Sequence, residues 1–314
     1  MNYNGSAHQK ISGLTNVPLS GGIIIFISVC YLYFYKFENI IPFLLLLFFL
    51  GLATDLKFIT SPRIRFVFQA AILFLIVYIS DLRILSTRIS FIDFFISNKI
   101  ISYFFSTFCL LILINGSNFI DGLNGLLLGY FLMISLILFE LNLVRYFNID
   151  NNILLLFSMV LLVLIFFNFY KLCFMGDTGA YILGFFYGYL LIWTYSENQS
   201  FSPFFVVVLL WYPCFENLFS ILRKFKFKKS PVKPDDNHLH QLLYLYLKKK
   251  YKFENTLANN VGSLIILTFN FIIFILAVQN ISNSEYQIML VTLSVIIYCA
   301  IYSKLFLYKY KLKI

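Results

Sequence analysis

The chain is 314 residues long, 61% hydrophobic and only 12% charged, with a mean hydropathy of +0.85. These values exclude a soluble domain and predict an all-α, polytopic membrane protein forming one domain over residues 1–314. The formal net charge of +10 must be located before it is interpreted, and in a chain this apolar it points to topology rather than to nucleic acid.

Residues 1–20 are polar and carry no cleavable signal pattern. Apolar segments follow at 22–35, 40–53, 64–80, 99–114, 122–139, 152–169, 180–195, 203–222, 257–278 and 286–303, predicting about ten spans. Several are short for a hydrocarbon core of roughly 30 Å, so they are expected to pack as a bundle reaching into the interface. Cys30, Cys109, Cys173, Cys214 and Cys299 lie in or beside these segments without motif spacing, and read as packing residues rather than disulfide or zinc partners.

Numbering the loops alternately separates the charge. One side receives residues 1–21, 54–63, 115–121, 170–179, 223–256 and 304–314; with the helix-end Arg65 it carries 19 of the 24 Lys and Arg. The other carries Lys36, Arg83, Arg88, Lys99 and Arg145. By the positive-inside rule the first side is expected to be cytoplasmic, with both termini there and a basic surface facing anionic lipid.

Four polar motifs fall on that side: TDLKFITSPR (54–63), NGSNFIDGLNG (115–125), FMGDTG (174–179) and KKSPVKPDDNHLHQLL (228–243). The second is costly in hydrocarbon, so it belongs at a membrane surface or in a wet cavity. Alone it also reads as a plain interhelical turn. Asp121 and Asn124 share a face if the next helix begins there. Asp55, Asp121 and Asp177 each end a span. Singly each reads as a solvated helix end, whereas three converging carboxylates suit a hard divalent cation. FMGDTG sets Asp177 at a helix start, whose N–H groups are expected to cradle phosphate while the carboxylate holds metal. His238 and His240 are spaced for a loop and lack a zinc set; they read as diphosphate donors or as two interfacial histidines. Residues 239–252 are expected to lie on the membrane as a basic amphipathic segment. Arg63 and Arg65 either pair with phosphate or anchor the next helix.

In this order the four motifs resemble the polyprenyl-phosphate N-acetylhexosamine-1-phosphate transferases, glycosyltransferase family 4, over nearly the whole chain. NGSNFIDGLNGL is similar to the family's N-x-x-N-[LFM]-x-D-G-x-[DN]-G-L. FMGDTGAYILGF is similar to F-[ML]-G-D-x-G-x-x-x-x-G, SPVKPDDNHLHQLL to the family's histidine loop and TDLKFITSPRIR to its aspartate loop. HQKISGLTNVPLSGG resembles the segment leading into the family's second span. The resemblance implies transfer of a sugar 1-phosphate from a UDP-N-acetylhexosamine to a polyprenyl phosphate such as undecaprenyl phosphate, with Mg²⁺ or Mn²⁺, at a bacterial inner membrane. It casts Asp177 as principal metal ligand, joined by Asn118, with Asp55 and Asp121 organising lipid phosphate, nucleotide and metal. His238 and His240 are cast on the diphosphate. Asn115, Asn124, Arg63, Lys171 and Asp235 are candidate substrate contacts. A homodimer is compatible with the resemblance, and no nucleic-acid partner is expected.

Three departures stand out. Thr54-Asp55 replaces the family's usual pair of carboxylates, so a base acting from the first position is lacking. A phosphate monoester with second pKa about 6 is nonetheless already largely dianionic at neutral pH. Asn124 and Gln241 occupy places often held by Asp and His, and the family's usual first span ahead of PLSGG is expected to be missing, through a start placed too late or a shortened member. A transporter would carry mid-span charges and repeats. These spans are nearly charge-free apart from Glu140 and Glu216 towards span ends, and show no repeat. The Asp-Gly run of CDP-alcohol phosphatidyltransferases is absent, and an inactive paralogue remains as the other alternative, raised by Thr54.

Overall fold

The computed structural model describes residues 18–143, 150–226 and 236–311. Among them there is no strand, and the helices run α1 (Gly21–Phe37), α2 (Ile41–Asp55), α3 (Pro62–Ile79), α4 (Ser90–Ile96), α5 (Lys99–Ile120), α6 (Leu126–Glu140), α7 (Asn151–Phe169), α8 (Gly176–Glu197), α9 (Pro203–Lys226), α10 (Leu239–Lys250), α11 (Asn255–Val278) and α12 (Ser284–Tyr310). All but α4 and α10 coincide with the ten apolar segments. Six (α3, α5, α7, α9, α11 and α12) are long and apolar enough to cross a membrane, and α1, α2 and α6 are shorter apolar helices. The chain is therefore an all-α, multi-span membrane protein.

The bundle is built around α8, which packs against α5, α2 and α1 and is buried on almost every residue from Gly176 to Tyr195. A helix apolar all round belongs in the interior. The outer helices show lipid their Phe, Ile and Leu side chains, such as Phe66, Val67, Phe108, Leu162 and Ile272. All five cysteines are free thiols, as packing residues should be.

Polar side chains inside the bundle answer specific backbone needs. Pro213 within α9 has no N–H to offer, which frees the carbonyl four residues earlier. The Tyr130 hydroxyl of α6 donates to that Leu209 carbonyl at 2.9 Å, meeting the requirement that no backbone group go unsatisfied in hydrocarbon. Trp211 Nε1 donates to the buried Asn270 side chain of α11 at 2.8 Å. On α5, Gly116 faces the Pro213 carbonyl so closely that an added Cβ would overlap it. We expect Gly116→Ala to cost about 1–3 kcal/mol by forcing α5 from α9. A fall in detergent-solubilised melting temperature would show it.

Two expectations about element ends are corrected. Residues 115–120 are not a loop but the last turn and a half of α5. Gly116 and Ser117 are buried there against α8 and α9, so packing carries the helix on through poor helix formers. Residues 239–252 do not simply lie on the membrane. Leu239, His240, Gln241, Leu242, Tyr244 and Leu247 of α10 are buried, docking the helix on α11 and α12, while Lys248, Lys249 and Lys250 stay exposed.

Candidate active site

The bundle's two ends differ. At one, Arg88 donates to the carbonyls of Ser282, Gln199 and Phe201 at 2.9–3.0 Å, a staple between loops. At the other, the ends of α2, α3, α5, α6, α8, α10 and α11 meet, and with them the first three sequence motifs and the described part of the fourth, residues 236–243.

Its centre is the first turn of α8. The helix starts without a side-chain cap of its own, and Asp55, buried at the end of α2, supplies one from outside. Asp55 Oδ1 accepts the Asp177 N–H at 2.8 Å, and Oδ2 accepts the Thr178 N–H at 3.1 Å and its hydroxyl at 2.7 Å. The Gly176 N–H goes to Asp121. The free amides expected to cradle phosphate are thus already held by two carboxylates, which corrects that expectation. Gly176 has φ +67°, and a Cβ on it would stand 2.7 Å from the Asp55 oxygens, so both backbone and space demand glycine here.

Asp177, half-buried, projects from that turn. Its Oδ2 accepts from Arg65 Nη1 at 3.0 Å and from the Tyr181 hydroxyl at 3.5 Å, and Asn118 also hydrogen-bonds the carboxylate. Asp121 caps α5 beside them. Burial, then the charges of Asp55 and Asp177, push its carboxyl well above the usual carboxylate range, with the Gly176 N–H pulling the other way. Three crowded carboxylates beside one guanidinium make a hard-oxygen site whose mutual repulsion a divalent cation would relieve. Among the described residues no three His, Cys, Asp or Glu side chains suffice to hold a metal by themselves.

Arg65, rather than Arg63, belongs to this centre. Arg63 is exposed, whereas Arg65 shares a helix face with buried Gln69, Ile72 and Ile76. We expect Arg65→Ala to destabilise the protein by about 1–2 kcal/mol by stranding three carboxylates, and Arg63→Ala to stay within about 0.5 kcal/mol, as read from thermal melts.

The asparagines divide between structure and site. Asn115 donates to Gln69 Oε1 at 3.0 Å and to the Leu111 carbonyl, tying α5 to α3. Asp121 and Asn124 do not share a helix face, because α6 starts only at Leu126. Asn124 instead turns to α11, taking Asn259 Oδ1 on its N–H at 2.7 Å and giving its amide to Asn260 at 3.0 Å. These bonds tie the turn before α6 to α11. Lys171 sits in the α7–α8 turn at φ 59°, its ammonium pulled below the ordinary lysine range by partial burial. The neighbouring Asn168 side chain binds the Gly125 N–H and the Cys173 carbonyl. Thr54 donates its hydroxyl to the Leu50 carbonyl at 2.9 Å within its own helix. Asp235 lies outside the described residues.

The histidine pair closes the site. His240 is fully buried with its ring against Gly122, next to Asp121. His238 stacks on it at 5.6 Å and meets the Phe119 ring at 4.8 Å. Gln241 accepts the His238 N–H at 3.2 Å, a capping interaction that accounts for Gln at this position. Sequence reasoning missed Glu216 as a site residue. It is 1% exposed within α9, with Oε1 2.9 Å from His238 Nδ1; the signal was a carboxylate inside an apolar span.

A multi-span α-bundle with an acidic cluster, an arginine and a histidine pair at one end defines an integral-membrane protein with a polar site at the bundle terminus. The family model described as Glycosyl transferase family 4 matches residues 37–195, and the chain belongs to that family. It is 30% identical over 244 residues to the undecaprenyl-phosphate alpha-N-acetylglucosaminyl 1-phosphate transferase of Salmonella typhi, covering 72% of this chain and 65% of that relative. It is 26% identical over 258 residues to the probable undecaprenyl-phosphate N-acetylglucosaminyl 1-phosphate transferase of Bacillus subtilis, covering 77% and 68%. The Thermotoga maritima protein of the same name as the Salmonella one is 29% identical over 235 residues, covering 72% and 67%. The chain thus spans just under two thirds of the Salmonella relative's length.

Proposed function

We propose that the chain transfers a sugar 1-phosphate from a UDP-N-acetylhexosamine to a polyprenyl phosphate, undecaprenyl phosphate by analogy with its relatives, giving a polyprenyl-diphosphate sugar and UMP. The observation that carries this reading is the convergence of Asp177, Arg65, Asn118 and Asp121 with the histidine pair at one end of a membrane bundle. There a lipid phosphate and a water-soluble nucleotide sugar can meet. The charge asymmetry of the loops supports a bacterial inner membrane with this end, and both chain ends, on the cytoplasmic side.

The donor set suits Mg²⁺ or Mn²⁺, which often takes one or two protein ligands and completes its shell with substrate phosphates and water. Asp177 with Asn118 would hold it, and it would neutralise charge on the diphosphate undergoing transfer. Arg65, 3.0 Å from Asp177, orients that carboxylate and would pair with the same phosphates. Asp55 keeps the first turn of α8 in place. His238 and His240 would contact the sugar-nucleotide diphosphate beside Asp121. The acceptor is largely dianionic at neutral pH, so positioning and electrostatics carry the transfer, and Thr54 need not act as a base.

The test is UMP release by the purified chain with undecaprenyl phosphate, Mg²⁺ and a panel of UDP-N-acetylhexosamines. Release with one donor and not without lipid phosphate establishes the reaction. No release with any donor or either metal sinks it.

A further inference from the structure

Glu216 is an unusual residue to find in α9. It lies within a candidate span among Trp211, Tyr212, Pro213 and Phe215, and is 1% exposed. Burying a carboxylate is costly unless every oxygen is matched, and here each is. Oε2 accepts the Tyr298 hydroxyl of α12 at 2.7 Å. Oε1 accepts the Leu239 N–H at 3.4 Å and meets His238 Nδ1 at 2.9 Å. Since a main-chain donor and a hydroxyl already approach it, the carboxylate meets the imidazole as acceptor and Nδ1 as donor.

The ring is also fixed in plane. Phe119, at the end of α5, lies 4.8 Å from it, and His240 stacks nearly parallel, 16° off, at 5.6 Å. Phe119 directly follows Asn118, and His240 packs on Gly122, directly after Asp121. One chain of contacts therefore links α12, α9 and the histidine segment to the acidic centre.

We propose that Glu216 is a positioning residue: it holds the His238 ring by Nδ1 in one orientation against Phe119 and His240, the orientation in which His238 meets the sugar-nucleotide diphosphate. This rests on the transferase reading above. A carboxylate behind a histidine fixes the ring's orientation in the same way in other enzymes. A purely structural polar tie would not need a charged group, since an amide could bridge the same donors.

The experiment compares wild type, Glu216→Gln, His238→Ala and the double variant in UMP release at saturating undecaprenyl phosphate and Mg²⁺, with UDP-N-acetylglucosamine varied. Each protein is also labelled with ¹⁵N-histidine, which the chain's three histidines make tractable. We expect Glu216→Gln to lose about 10- to 100-fold in kcat/KM, falling mainly on kcat. In the His238→Ala background it should cost nothing further, and the His238 Nδ1–H proton resonance should move upfield. Losses that multiply in the double variant, an unchanged kcat/KM, or an unmoved resonance each overturn the proposal. Should Glu216→Gln fold poorly, Tyr298→Phe removes only the outer donor, and a smaller loss that again vanishes with His238→Ala is the supporting result. Absence of activity in wild type with every donor would defeat the transferase reading, and the resonance would still decide whether Glu216 holds His238.

Discussion

Asp177→Asn should lower kcat for UMP release by at least about 10²–10³-fold, roughly 3–4 kcal/mol of transition-state stabilisation, without unfolding the protein. The substitution is nearly isosteric, and the helix-start amides are unaffected because they bind Asp55 and Asp121, not Asp177. The lost ion pair with Arg65 is partly exposed, and removing one of three crowded carboxylates offsets it. The melting temperature of the metal-free variant is therefore expected to match or exceed that of wild type. What should vanish is stabilisation by Mg²⁺ together with UDP-sugar, because a ligand shifts stability only in proportion to its binding of the folded state. A variant that keeps both activity and metal-dependent stabilisation would remove Asp177 from the proposed centre.

Much of this architecture could be read from the chain because hydrocarbon leaves few alternatives to a helix. Each of the ten apolar runs became one, and counting Lys and Arg by alternate loops grouped the polar motifs whose described residues the structure brings to one end. The misreadings have local causes. Residues 115–120 looked like a turn because Asn, Gly and Ser are poor helix formers, yet close packing of Gly116 and Ser117 against α8 and α9 overrides propensity. The resemblance singles out Arg63 as a substrate contact, although Arg65 is four residues before Gln69, the one polar residue midway along α3; helical phase alone separates them. Asn124 could not be assigned, because its partners, Asn259 and Asn260, lie 135 and 136 residues away. Glu216 was noticed only as an exception to an apolar span, when a carboxylate there is itself a signal of a partner.

Asp55 shows why a motif residue's presence does not define its task. Its carboxylate is occupied by three donors from Asp177 and Thr178, so its first effect is on α8. Asp55→Ala would strand two amides and a hydroxyl in a buried place and remove the helix cap, at an expected cost of about 2–4 kcal/mol. Activity should fall with it, because Asp177 rides on the turn that loosens. Asp55→Asn keeps one oxygen acceptor and the same shape while losing charge and one acceptor. It is expected to recover at least half of that stability, since charge-assisted hydrogen bonds are only about twice as strong as neutral ones, and to stay within about tenfold of wild-type kcat. Thermal melts and UMP release on the same two preparations separate the roles. If Asp55→Asn melts like wild type but is as inactive as Asp177→Asn, the carboxylate acts in the chemistry itself. If stability and activity return together, Asp55 serves as the pedestal on which α8 presents Asp177.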